Sequence, residues 1–243
     1  MDDSSDGASA TQSRSWLREL AVLVVVALTL SFLLQTFAGR IYLIPSESME
    51  PTLHGCDGCT GDRILVDKVS YRFTDPRPGD VVVFRAPTSS WNVGYTSARS
   101  DNSAIRGLES VGAFVGVVPP DENNLVKRVI ATGEQTVQCC DDQGQVQVDG
   151  NTLDEPIIDM DFPFVSGALD CATVPASRRC FGPITVPDGN VWVMGDNRNH
   201  SADSRAHVDD EYTGTVPVSY IVGKARFVVL PPSRWGVIEA PAI

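Results

Sequence analysis

Two serines two residues apart, Ser46 and Ser48, stand in the stretch Ile44-Pro45-Ser46-Glu47-Ser48-Met49-Glu50-Pro51-Thr52-Leu53. Pro45 and Pro51 fix their own φ and push the residue before each toward extended geometry, so Ser48 rides on a stiff, non-helical backbone. A serine held this way is a nucleophile if a base reaches it. Without a base the same residues are ordinary turn formers. Of the three histidines, His54 lies in an irregular Gly/Cys segment, while His200 and His207 flank a polar loop, and no spacing singles one out.

Lys127 is the other candidate base, in Asn124-Leu125-Val126-Lys127-Arg128-Val129-Ile130. Strand alternation puts Leu125, Lys127 and Val129 on one face and Val126, Arg128 and Ile130 on the other. In water, a Lys beside an Arg is a solvated strand residue. On a buried apolar face its ammonium is disfavoured, and its pKa falls from ~10.4 toward ~7–8, where an amine serves as general base. A Ser–Lys pair therefore fits the available groups better than Ser-His-Asp. A third stretch, Gly195-Asp196-Asn197-Arg198-Asn199-His200-Ser201-Ala202-Asp203-Ser204-Arg205, is dense in turn formers, hydroxyls and opposite charges. It reads either as a polar loop tied by Asp–Arg pairs or as a loop that orients a catalytic group by hydrogen bonds.

Positioning these groups falls to an anchor and a set of strands. Leu20 through Gly39 runs without a charge between Arg18-Glu19 and Arg40. As a helix it is ~30 Å long, the thickness of a hydrocarbon core, and it is apolar on every face. A cleaved signal peptide would have a shorter apolar region and a basic start, and this chain starts Met1-Asp2-Asp3. Residues 1–15 read as a disordered cytoplasmic tail, 16–40 as a membrane anchor and 41–243 as an extracytoplasmic domain. Arg14 and Arg18 against Arg40 give a weak bias for the N-terminus inside. The six cysteines all follow the anchor, which suits an oxidising compartment.

Beyond the anchor the chain reads as mostly β. Arg63–Lys68, Asp80–Arg85, Leu125–Ala131, Gln145–Asp149, Val191–Met194 and Ile221–Leu230 are short β-branched runs bounded by turn residues. No stretch after residue 40 shows a long helical period. Residues 86–123 read as an inserted loop, polar and Ser/Asn-rich at first, with an apolar piece Val111–Val118 that packs on the body or dips into the lipid interface. A net charge of −12 argues against nucleic acid as a partner, since phosphate binding needs a basic face.

P-S-E-S-M-E-P-T-L, N-L-V-K-R-V-I and G-D-N-R-N-H-S-A-D-S-R, in that order behind an anchor, resemble the signature boxes of bacterial type I signal peptidases. Gly61–Lys68, Pro78–Phe84, Gly214–Pro217 and Ile221–Ala225 resemble the same family. The resemblance implies a signal-peptidase fold, a folded β-sheet or barrel with a smaller β subdomain at about 134–188. It implies a membrane serine endopeptidase that removes signal peptides from exported preproteins at Ala-x-Ala sites, with no metal or cofactor. Lipid and the secretion translocon would be its surroundings. Carried over by position, Ser48 is the nucleophile, Lys127 the general base, and Ser46 joins the Ser48 N–H in the oxyanion hole. Ser201 orients the Lys amine, with Asp203 and Arg205 supporting the loop. Ile44, Pro45, Met49, Leu53, Leu125 and Val126 wall small apolar pockets. Asn199-His200 replaces a more usual Asp/Glu-containing pair, Ala131-Thr132-Gly133-Glu134 differs slightly from the usual turn, and 86–123 is longer than in compact members.

The cysteines could form a zinc site from Cys56-x-x-Cys59 with Cys139-Cys140, but vicinal cysteines are awkward ligands and the expected compartment is oxidising. Disulfides are the expectation. Cys171 and Cys180 flank a short polar stretch suited to a local bridge, and the resemblance suggests a disulfide in the outer subdomain. Cys56 and Cys59 would then pair with Cys139 and Cys140. Two rival readings compete with this one. A self-cleaving Ser–Lys repressor would need a DNA-binding domain and a cytosolic location, which the anchor and acidity oppose. A non-catalytic disulfide-stapled binder would leave Ser48, Lys127 and Ser201 in their contexts unexplained.

Overall fold

The computed structural model describes residues 7–37, 39–56, 58–92, 99–114, 123–158 and 160–241. It divides into two units, Met1–Ala38 with Ala98–Asp121 and Gly39–Ser97 with Glu122–Ile243.

Among the described residues, the first unit holds two helices. Helix α1 runs Gly7–Phe37, and its stretch Trp16–Leu33 is exposed and long and apolar enough to cross a membrane. It starts inside the segment expected to be disordered. Ala8 and Ala10 are good helix formers, and extending an existing helix needs no new nucleus. The first six residues of that expected tail lie outside the described residues. Helix α2, Ser103–Phe114, corrects the expectation of an irregular insertion. The Asn102 side chain caps it by accepting from Ala104 N at 3.0 Å. Glu109 then accepts from Ser100 N, while Arg106 Nε donates to Ser100 O. One short apolar row (Ile105, Leu108, Val111) among Ser, Gly and charges was too brief to show a period. Val115–Val118, the rest of the expected apolar piece, lie outside the described residues.

The second unit is built on antiparallel strands: β1 Gly39–Leu43, β2 Arg63–Asp67, β3 Val81–Arg85, β4 Asn124–Thr132, β5 Thr136–Cys139, β6 Val146–Val148, β7 Asn151–Thr152, β8 Phe181–Thr185, β9 Asn190–Met194, β10 Val216–Pro217, β11 Ile221–Leu230 and β12 Gly236–Val237. The large sheet has the order β1-β2-β11-β3-β4-β9-β10, with β12 paired to β11. Its path ends at β1 and β10, so it is an open sheet and not the barrel alternative. The six strand runs read from the sequence all appear, within a residue or so at their ends.

Strand β3 explains why the sheet has a core on each side. Alternate residues point to opposite faces. Val81 and Val83 join Ile44, Met49, Leu53, Ile64 and Val66 in one cluster, while Val82 and Phe84 join Trp91, Val129, Val191, Val193 and Val216 in another. A strand buried on both faces reads as a continuous apolar run, as Val-Val-Val-Phe does. The small sheet, β7-β6-β5-β8, lies within residues 134–188 and packs Val137, Val146, Val148 and Val186 against Trp192 and Ile130.

The disulfides correct one expectation. Cys171–Cys180 is formed, but Cys56 pairs with Cys59 and Cys139 with Cys140. The first pair sits on the loop between β1 and β2 of the large sheet, the second at the end of β5 in the small one. Each cysteine thus bonds within its own segment, Cys56 and Cys59 at a Cα separation of 5.5 Å that ordinary disulfide geometry accepts.

Candidate active site

Ser48 lies on a single helical turn, Glu47–Met49, just beyond β1. Ile44 N donates to Asp62 O at 2.8 Å, Ser46 is extended at φ −133° and ψ 159°, and Glu50 N closes the turn on Glu47 O at 3.0 Å. Met49 and Leu53, 1% and 0% exposed, fasten the turn to the core from below. The stiffness expected from Pro45 and Pro51 is therefore backed by packing. Ser46 is exposed, and its Oγ donates to Ser48 Oγ at 3.3 Å.

Lys127 is 4% exposed in β4, between β3 and β9, directly opposite Val82. Its Nζ donates to Ser48 Oγ at 2.7 Å. Burial pushes the amine down to about 8, aided by Arg205 and opposed by the carboxylates of Asp203 and Asp196. The burial that the general-base reading of Lys127 needs is present.

The stretch 195–205 packs on both groups. Gly195 has no room for a side chain, since a Cβ there would sit 2.4 Å from Ser48 O and 2.3 Å from Ser201 Oγ. Asn197 N donates to Ser48 O, and its side-chain amide donates to Glu47 O, each at 3.2 Å. Asp203 accepts from Gly195 N at 2.9 Å and from Arg205 through both oxygens. The Arg205 guanidinium and these hydrogen bonds hold the Asp203 carboxyl below its usual range although burial opposes this. Ser204 Oγ accepts from Val193 N at 2.9 Å.

Ser201 does not bond Lys127. Its Oγ is buried without a hydrogen-bond partner of good geometry, though it lies close enough to Asp203 to help keep that carboxyl charged. Of the six expected pocket residues, Ile44, Met49 and Leu53 are core, whereas Pro45 is exposed and Leu125 and Val126 are half-buried. His54, Cys56 and Cys59 could converge on an ion, as could Cys140, Cys171 and Cys180, but their sulfurs are in disulfides.

Sequence reasoning missed three supports. Arg128, next to Lys127, makes a two-pronged pair with Asp196 at 2.8 and 2.7 Å and donates to Gly79 O and Glu239 O. Asn197 was one polar residue among many. Arg198, 2% exposed, pairs with Glu155 of the small-sheet region and donates to Gly195 O. A signal for the first existed: Arg128 follows Lys127 in β4, and Asp196 follows Gly195 just beyond the neighbouring strand β9. For the last there was none, because Glu155 sits in an irregular segment.

A serine hydroxyl on a stiff turn thus lies against a buried amine at an open antiparallel sheet, an arrangement suited to serine hydrolysis. The signal peptidase family, peptidase S26, matches residues 17–230, and the chain belongs to it. It is 59% identical over 232 residues to signal peptidase I of Mycobacterium tuberculosis, covering 93% of this chain and 77% of that one. The probable signal peptidase I of Mycobacterium leprae is 54% identical over 242 residues, covering 95% and 82%. The probable signal peptidase I-1 of a Synechocystis strain is 37% identical over 221 residues, covering 91% and 86%. The chain is accordingly a serine endopeptidase.

Proposed function

We propose that this protein is a membrane-bound signal peptidase that removes N-terminal signal peptides from exported preproteins at Ala-x-Ala sites, with Ser48 as nucleophile and Lys127 as general base. The 2.7 Å contact between a buried Lys127 Nζ and Ser48 Oγ carries the reading. With the amine neutral, the hydroxyl donates to it, and its proton passes to Nζ as Ser48 attacks the scissile carbonyl. The ammonium then protonates the leaving amine, and the freed amine activates the water that hydrolyses the acyl-enzyme. The developing oxyanion is met by Ser48 N–H and Ser46 Oγ–H, each such donor typically worth ~3–4 kcal/mol. Ser201, Asp203 and Arg205 hold the loop against Lys127. Small side chains on the substrate fit walls from Pro45, Leu125 and Val126, with Ile44, Met49 and Leu53 behind them. A crowded apolar floor rejects larger residues by overlap.

The membrane setting is supported by the length and apolarity of α1. Lipid contact is supported too by an outward row on the sheet: Ile41, Leu65, Phe227 and Val237 are side by side across β1, β2, β11 and β12. Ile41, Leu65 and Val237 in it are exposed. The N-terminus would be cytoplasmic and the catalytic domain extracytoplasmic, near the secretion translocon.

One experiment tests both parts. Full-length protein reconstituted in vesicles is floated and given a preprotein with an Ala-x-Ala site. Wild type, Ser48→Ala and Lys127→Met should all float with lipid, and only wild type should cut, the variants losing on the order of 10⁴-fold. Variants that cut like wild type would remove the site assignment, and protein that stays at the bottom would remove the anchor.

A further inference from the structure

Trp91 stands at the first foot of the insertion, in the short turn Ser89–Asn92. The two feet meet there, with Asn123 Nδ2 donating to Asn92 Oδ1 at 2.5 Å. Trp91 is 4% exposed in a segment that is otherwise polar. Its ring stands edge-on to Phe84 at 5.6 Å and is stacked on His207 at 4.1 Å, 23° from parallel. Its Nε1 donates to Asp210 Oδ2 at 2.9 Å, and Thr88 Oγ1 donates to the same oxygen at 3.3 Å. One aromatic residue thus joins the insertion, the sheet core and the segment that follows Asp203 and Arg205.

The cluster that Trp91 belongs to includes Val82 and Val129. Val82 is the direct cross-strand partner of Lys127, and Val129 is the next residue of β4 on the same face. Trp91 therefore helps build the apolar face from which the Lys127 side chain emerges. His207, the other half of the stack, lies close enough to feel the Lys127 charge. Burial and that charge push its pKa down, while Asp210 and Asp203 oppose them.

We propose that the Trp91–His207 stack is the wall that keeps water from Lys127, so that both are positioning residues of the active site and the foot of the insertion is part of its apparatus. The inference rests on Lys127 being the base. The charged groups around Lys127 are Asp203 and Arg205, Asp196 from the turn after β9, and His207; those around His207 are Asp210, Asp203 and Lys127. Asp203 and Asp196 keep their own arginine partners without Trp91. Removing the stack thus admits water while leaving the carboxylates that favour the ammonium. The amine then becomes harder to deprotonate, and activity needs a higher pH.

The test is the pH–rate profile of kcat/KM for the full-length protein in detergent, comparing Trp91→Ala, Trp91→Phe, His207→Ala and Lys127→Met with wild type. Trp91→Ala and His207→Ala should move the acid limb up by about one pH unit, seen as an about tenfold lower rate at pH 7 with a much smaller loss on the plateau. Trp91→Phe keeps an apolar ring, smaller than the indole and without the Nε1 donor, so its limb should move less than that of Trp91→Ala. A limb that stays in place in both alanine variants overturns the proposal, whatever happens to the plateau. If Trp91→Ala gives no cooperative thermal transition, His207→Ala alone decides by the same criterion. An inert Lys127→Met keeps the base reading intact in either case, whereas a fully active one removes that reading first.

Discussion

Burying an ammonium costs free energy, and Lys127, 4% exposed, bears that cost. Its amine is held at about 8 in the folded protein against 10.5 for an ordinary lysine. Between those pH values the unfolded chain binds more protons than the folded one, so this residue makes stability rise with pH from about 8 to about 10.5. Below that window the folded state bears the whole penalty. Lys127→Met fills similar volume with no charge. It should be more stable than wild type at pH 7 by up to roughly 3 kcal/mol, and the gain should shrink as pH approaches 10. Denaturant unfolding of both proteins at several pH values measures this. A variant no more stable than wild type at pH 7 would mean that the amine is better solvated than its surroundings indicate. Asp203 shows the opposite arrangement, a buried carboxylate kept charged by Arg205.

At the scale of elements, the loop 195–205 packs on Ser48, and Gly195 approaches it too closely for any side chain. A methyl group there would meet Ser48 O at 2.4 Å, and that atom belongs to the backbone carrying the hydroxyl. Gly195→Ala should therefore displace Ser48 from Lys127. A shift of about 1 Å can cost about 100-fold in rate. The expected signature is a kcat lowered by that order with KM little changed and a cooperative unfolding transition retained; a kcat within a few-fold of wild type would show that the Ser48 backbone yields cheaply. The strands and this loop were legible in the sequence because their signals are local: β-branched runs, turn residues, and Pro on either side of Ser48. Helix α2 was not, because Asn102 capping and the Glu109 and Arg106 bonds to Ser100 supply order that a short apolar row does not announce. The cysteine pairings were not legible either, since pairing depends on which loops approach in space. Ser201 is the reverse case, a residue read as bonding the Lys amine whose Oγ is instead buried against Gly195.

Across the whole catalytic unit, the small sheet is joined to the site by ionic and backbone bonds as well as by packing. Arg198 N donates to Met160 O at 3.0 Å, its guanidinium pairs with Glu155, and Arg205 donates to Arg198 O at 3.0 Å. Farther out, Arg179, beside the Cys171–Cys180 disulfide, donates to Phe162 O and Gly144 O and pairs with Asp161. Glu155 and Met160–Phe162 are thus held from both sides, and the loop that presses on Ser48 leans on them. No residue pattern could have shown this, because the partners lie far apart in the chain and Glu155 sits in irregular backbone. Removing one member of a buried pair leaves the other charge uncompensated, which typically costs ~3–5 kcal/mol. Arg198, 2% exposed, cannot turn out to water without dragging the loop with it. Glu155→Ala should therefore lose stability of that order in denaturant unfolding and lose activity under native conditions. Glu155→Gln keeps an acceptor for the guanidinium and should lose less of both. If Glu155→Ala destabilised the protein but left kcat unchanged where it is fully folded, the small sheet would be a stabilising appendage. Parallel losses of stability and kcat would make it part of what holds the loop against Ser48.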